Sequence, residues 1–218
     1  FLVGLAPTER PVAGYVWRFL PIRPGEVNPC AVLRPWVAEA LTRSPAHAYI
    51  RGMTTFLTTP QGRHIAYHHT PGKGPGVVFL GGFRSDMTGT KAQALQAWAE
   101  GTGRSFLRFD YSGHGQSHGA FVDGAISDWR EDAAAVIEVL TEGPQILVGS
   151  SMGGWIALLL ARDLGPRIGG FVGIAAAPDF TERMWEAEFT LAERTTLMEE
   201  GVFLRPSDYA DEPYPITL

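Results

Sequence analysis

The chain has 218 residues, 45% of them hydrophobic and 19% charged, as in a folded globular protein with one substantial domain. A formal net charge of −5 supplies no basic footprint for nucleic acid, and a single cysteine, Cys30, excludes an internal disulfide framework. No apolar run reaches the ~18 residues of a membrane-spanning helix, and the start Phe1-Leu2-Val3-Gly4-Leu5 lacks the length and basic flank of a secretory signal, so the reading is a soluble cytoplasmic protein.

Residues 1–52 form a poorly patterned N-terminal extension. Prolines at 7, 11, 21, 24, 29, 35 and 45 each fix φ and remove a backbone donor, leaving little room for regular structure. One helix fits at Val32–Thr42, where Leu33, Trp36, Val37, Ala40 and Leu41 recur at helical spacing. The first methionine, Met53, sits where ordered patterning begins. The preferred reading starts the native chain there and takes 1–52 as upstream read-through or a fusion remnant; the alternative is a native N-terminal arm.

From residue 53 to 218 the pattern is regular. Thr54–Thr59 and Arg63–His68 flank Pro60-Gln61-Gly62 and predict a β-hairpin. Gly76–Leu80 reads as a buried strand ending in Gly81-Gly82, and Lys91–Glu100 as a helix closed by Gly101. Ser105–Asp110 is a strand leading into the glycine-rich loop Ser112–Gly119. Asp128 is expected to cap a helix running to Leu140, with Glu131 completing a capping box and Gly143-Pro144 ending the segment. Gln145–Gly149 is a strand, Gly154–Leu164 a helix, and Gly170–Ala175 a further strand. Helices alternating with apolar strands imply a mostly parallel sheet with helices on both faces.

The most specific motif is Gly149-Ser150-Ser151-Met152-Gly153, a G-x-S-x-G pentapeptide between an apolar strand and a helix. A serine hydroxyl is a weak nucleophile that must be held exposed beside a base, and glycines at 149 and 153 permit the tight turn that does this. Ser151 is therefore the candidate catalytic nucleophile. Ser150 fails the same test because Val148 and Met152 flank it. The amide of Met152, at the helix start, and that of Phe83, in the loop Gly81–Asp86 after the first apolar strand, are the candidate oxyanion-hole donors. Arg84 is read as a surface arginine.

All six histidines, at 47, 64, 68, 69, 114 and 118, precede Ser151, whereas in this arrangement the acid and base follow the serine in the chain. His114, between two glycines, reads as part of a backbone-shaped loop rather than as a braced base. His68 and His69 point to opposite faces of a strand and make no shared metal site. Asp179, after the strand ending near Ala175, is the candidate acid, with a helix cap before Thr181 as the alternative. Met184, Trp185, Phe189, Leu191, Leu197 and Met198 pattern a possible cap segment over 180–212.

The blocks Phe79–Ala92, Leu107–Gly115 and Gly143–Trp155 resemble the α/β-hydrolase superfamily. More closely they resemble its branch of mitochondrial acyl-glucuronide esterases and palmitoyl-protein thioesterases, and bacterial members of that branch most of all. The resemblance spans roughly residues 54–217. It implies the α/β-hydrolase fold, Ser151 as nucleophile, amides of Phe83 and Met152 at the oxyanion, and no metal or organic cofactor. It also implies an acid and a base after two further strands, before which this chain is apparently truncated. The expectation is a serine hydrolase of small-molecule acyl esters or thioesters, present as a fragment of the active protein. The alternative is a non-catalytic acyl-binding or interaction protein that has lost its base.

Overall fold

The computed structural model describes residues 2–5, 54–206 and 213–217. Cys30, Met53, the helix expected at Val32–Thr42 and the last part of the expected cap segment lie outside the described residues. The strands are β1 (Leu2–Leu5), β2 (Thr55–Thr58), β3 (His64–Thr70), β4 (Lys73–Leu80), β5 (Arg104–Phe109), β6 (Gln145–Ser150), β7 (Ile168–Ile174), β8 (Val202–Arg205) and β9 (Tyr214–Thr217). The helices are α1 (Thr90–Thr102), α2 (Ile126–Leu140), α3 (Met152–Leu164), α4 (Phe180–Arg183) and α5 (Leu191–Glu200).

Seven strands form one sheet in the order β1-β7-β6-β4-β5-β3-β2. The central strands β5, β4, β6 and β7 run parallel, in register through pairs such as Val78 with Leu107 and Leu80 with Gly149. The β2–β3 hairpin closes one side antiparallel, with Gly62 at φ 80° carrying the turn. Alternation along β4 separates two apolar layers. Val77 and Phe79 pack with Ala92, Leu95 and Ala99 of α1, while Val78 and Leu80 join Ala133, Val136 and Ile137 of α2 and Ile156, Ala157 and Leu160 of α3. Helices thus cover both faces, as in an α/β-hydrolase.

Several expectations shift. The helix α1 passes through Gly101 and ends at Gly103, whose φ of 65° lets its amide reach back to the carbonyls of Ala99 and Glu100. The helix α2 begins at Ile126, so Asp128 is its third residue rather than its cap. From there its carboxylate accepts the Ala125 amide at 3.0 Å, near the positive end of the helix. Glu131 turns instead to Arg63, at 2.9 Å. The prolines of 1–52 leave little room for regular structure, yet Leu2–Leu5, a proline-free apolar run, lies antiparallel on the free edge of β7.

Beyond β7 come α4, one wide turn at Met184–Glu188, α5, and the β8–β9 hairpin, which the sequence pattern did not announce. Met184, Phe189, Leu197 and Ile216 form a separate apolar cluster there. Thr190 caps α5 reciprocally with Glu193. No helix among the described residues is long and apolar enough to cross a membrane.

Candidate active site

The turn joining β6 to α3 puts Ser151 in a conformation that side chains rarely adopt, φ 51° and ψ −117°. Backbone bonds pin it on both sides. Its amide donates to the Ile174 carbonyl at 3.0 Å, and its carbonyl accepts from Gly154 at 2.9 Å and Ala177 at 3.1 Å. The end of β7 therefore holds the turn. A side chain at Gly153 would overlap the backbone of Leu80 and Gly81, and one at Gly149 would overlap Gly153, so both positions require glycine. The result is an exposed Ser151 above a buried Met152. Met152 opens α3, where a backbone N–H has no acceptor within the helix. Ser150, by contrast, is buried at the end of β6 opposite Ile174.

The loop after β4 lies against this turn. A methyl group on Gly82 would sit 3.5 Å from Ser151 Cβ and 3.4 Å from the Ser150 carbonyl oxygen, in ordinary van der Waals contact, so the loop runs beside the serine at about the distance of one side-chain carbon. The loop is folded by Ser85, whose amide and hydroxyl both donate to the Gly82 carbonyl, at 3.1 and 2.8 Å. Among the described residues, neither the Phe83 nor the Met152 amide has a hydrogen-bond acceptor outside regular secondary structure. The Phe83 ring makes edge contacts with Phe121, Phe180 and Tyr214 at centroid distances of 4.9, 5.8 and 5.7 Å. Trp155 of α3 adds an edge contact to Phe180 at 5.8 Å. An aromatic wall thus surrounds the β4 loop that carries Gly82, built from five separate parts of the chain.

Strand β5 and the loop after it hold the β4 loop from behind. Asp110, 1% exposed, accepts the Met87 amide at 2.6 Å and the Gln116 amide at 2.8 Å. Burial pushes its carboxyl upward, and these two amides oppose that shift. Arg108 donates to the Met87 carbonyl at 2.5 Å. His114 is 3% exposed, with Nδ1 3.1 Å from the Ser112 carbonyl and Nε2 3.3 Å from the Arg84 amide. Burial holds its pKa below the ordinary histidine value.

No other candidate side chain hydrogen-bonds to Ser151 among the described residues. Arg84 is exposed, as expected, and lies 5.5 Å from the Phe121 ring centre. Asp179 precedes α4 in a left-handed conformation, φ 54°, and its exposed carboxylate makes no capping bond. His64 bonds Thr58 and its ring lies tilted, 5.0 Å from that of His118, while His69 bonds Ser105. Among the described residues no histidine hydrogen-bonds to Ser151, and no group of three His, Cys, Asp or Glu side chains could hold a metal ion. Sequence reasoning missed the aromatic wall and the engagement of His114. The spacing Gly113-His114-Gly115 signalled a tight loop but not what the ring would touch.

The model of the Hydrolase_4 family, described as serine aminopeptidase, S33, matches residues 76–200. The mitochondrial palmitoyl-protein thioesterase ABHD10 of Bos taurus is 37% identical over 158 residues, which are 72% of this chain and 51% of the bovine protein. The chain thus spans about half the length of that relative. A protein of Agrobacterium vitis S4 with a known crystal structure is 45% identical, with a TM-score of 0.70, covering 75% of this chain and 67% of that one. The structure of mouse α/β-hydrolase domain-containing protein 10 is 34% identical, with a TM-score of 0.69, covering 76% and 66%.

Proposed function

Because this chain belongs to the Hydrolase_4 family of α/β-hydrolases and to the ABHD10 branch within that fold, we propose that it is built for serine-dependent cleavage of acyl esters or thioesters. In this reading Ser151 Oγ bonds to the acyl carbon while its proton passes to a base. The bond to the alcohol or thiol then breaks, and water releases the acid from acyl-Ser151. The amides of Phe83 and Met152 receive the negative charge that develops on the carbonyl oxygen. One such donor is worth about 10²–10³ in kcat.

The observation that carries the proposal is the exposed, positive-φ Ser151 at the start of a helix, with the Gly82 loop alongside it. A strained residue held by three backbone bonds serves a purpose other than packing. We assign the general base to a histidine outside the described residues, since none of the described ones hydrogen-bonds to Ser151. Asp179, exposed and without a capping bond, is the candidate acid within them. The acyl group would lie along the aromatic wall of Phe83, Phe180 and Trp155, and the palmitoyl-protein thioesterase name of the relatives fits a large apolar acyl chain there. The compartment proposed remains a reducing one, on the lone Cys30.

A fluorophosphonate probe tests the nucleophile. The expected result is one covalent adduct on the peptide carrying Ser151, abolished by Ser151→Ala. An adduct that survives that substitution removes Ser151 from the role.

A further inference from the structure

The β4 loop carrying Phe83 is anchored at both ends. Leu80 fixes its start in the sheet, and Asp110 and Arg108 grip Met87 at its far side. Between Gly81 and Asp86 the only side chain from outside the loop that bonds its backbone, among the described residues, is His114. The bond falls on the Arg84 amide, the peptide immediately after Phe83, at a residue whose φ of 54° is not locally favoured.

Resting on the assignment of Phe83 as an oxyanion donor, we propose that His114 is a positioning residue. It holds the Arg84 backbone and thereby aims the neighbouring Phe83 amide at the space beside Ser151. Its tautomer follows from its partners. A carbonyl only accepts, so the Ser112 oxygen requires a proton on Nδ1 and leaves Nε2 bare to receive the Arg84 N–H. The ring is held in turn by a chain of bonds. The Ser112 carbonyl also accepts Trp129 Nε1 at 3.0 Å, and the Ser112 amide and hydroxyl donate to Asp132 at 2.9 and 2.7 Å. Asp132, fully buried, accepts Arg63 Nε at 2.6 Å. Phe121, Trp129 and Tyr111 close around the imidazole at 5.1, 4.9 and 5.6 Å.

The charged groups facing the ring are Asp132 from α2, which favours its protonated form, and Arg84 from the β4 loop, which opposes it. Burial, with Arg84 acting in the same sense, outweighs the Ser112 bond and Asp132 and holds the pKa below the ordinary histidine value. A proton on Nε2 would set donor against donor at Arg84 and release the loop.

Two readouts on the full 218-residue chain test this. One is hydrogen-exchange protection of the Arg84 amide by NMR; the other is the rate at which an alkyl fluorophosphonate modifies Ser151. His114→Phe fills the space without an acceptor, and His114→Asn keeps a donor for Ser112 but cannot reach Arg84. Both are expected to abolish protection at Arg84 and to slow phosphonylation about tenfold or more. His114→Gln, whose amide oxygen reaches the Nε2 position, is expected to retain protection and a rate within about threefold of the parent. Unchanged phosphonylation in a folded His114→Asn protein, or equal losses in the Gln and Asn variants, would overturn the proposal. A parent chain that takes no label at Ser151 overturns the underlying assignment instead, and the exchange measurement still decides whether His114 holds the loop.

Discussion

At Ser151 the backbone angles φ 51° and ψ −117° would suit glycine better than serine, yet the chain keeps a side chain there. Conformations of this kind cost roughly 1–3 kcal/mol. Ser151→Gly should therefore give a protein about 1 kcal/mol more stable than Ser151→Ala, read as the difference in urea midpoints, while both lose reactivity toward phosphonates. Equal stabilities would mean that the turn carries no strain. Two residues on, the constraint is of the opposite kind. A methyl at Gly153 meets the Leu80 and Gly81 carbonyls, backbone that the sheet register fixes. Gly153→Ala is expected to cost roughly 3 kcal/mol, the upper end for overpacking, because backbone cannot rotate aside as a side chain does.

Among the elements, α2 shows how much a helix start can organise. Its Asp132 is fully buried and joins Arg63 of the hairpin to Ser112 of the β5 loop through three bonds. Asp132→Ala leaves the Ser112 amide and hydroxyl without their acceptor while Arg63 keeps Glu131 and Asp128, so it should lower stability by about 1–3 kcal/mol in denaturant titration. Arg63→Ala is expected to cost less, since Arg63 is partly solvated. The types of these elements were legible in the sequence because period-2 and period-3.6 patterns and punctuating glycines are local signals. Ends were less so. Asp128 looks like a cap, but Ile126 and Trp129 already bury the preceding turn, which moves the start upstream. The position of Ser151 could be read because its glycines are forced by sterics within five residues. The aromatic wall could not, since Phe83, Phe121, Phe180 and Tyr214 meet only through tertiary packing. Likewise no pattern in the sequence ties His114 to Arg84, thirty residues away.

For the molecule as a whole, burial lowers the pKa of His68, His69 and His114 below 6.5. The unfolded chain then binds protons near pH 6.5 that the folded chain refuses. Stability is fully present above that pH and falls as the pH drops from 6.5 toward the folded values. Asp110, shifted upward by burial, acts in a lower window and in the opposite sense, losing stability as the pH rises from 3.8. The urea midpoint is thus predicted to decline between pH 7 and pH 5, and His114→Gln to flatten part of that decline. A midpoint that rises over this interval would contradict the burial of these rings. The same sheet that buries them brings the end of β7, the β4 loop and the start of α3 to one edge, the site of the proposed chemistry.

The most direct test of that chemistry is a crystal structure of the chain after reaction with a small alkyl fluorophosphonate. The account predicts phosphorus bonded to Ser151 Oγ and one phosphoryl oxygen between the Phe83 and Met152 nitrogens, at about 2.7–3.1 Å from each. Phosphorus on any other residue, or an oxygen turned away from both amides, would contradict it.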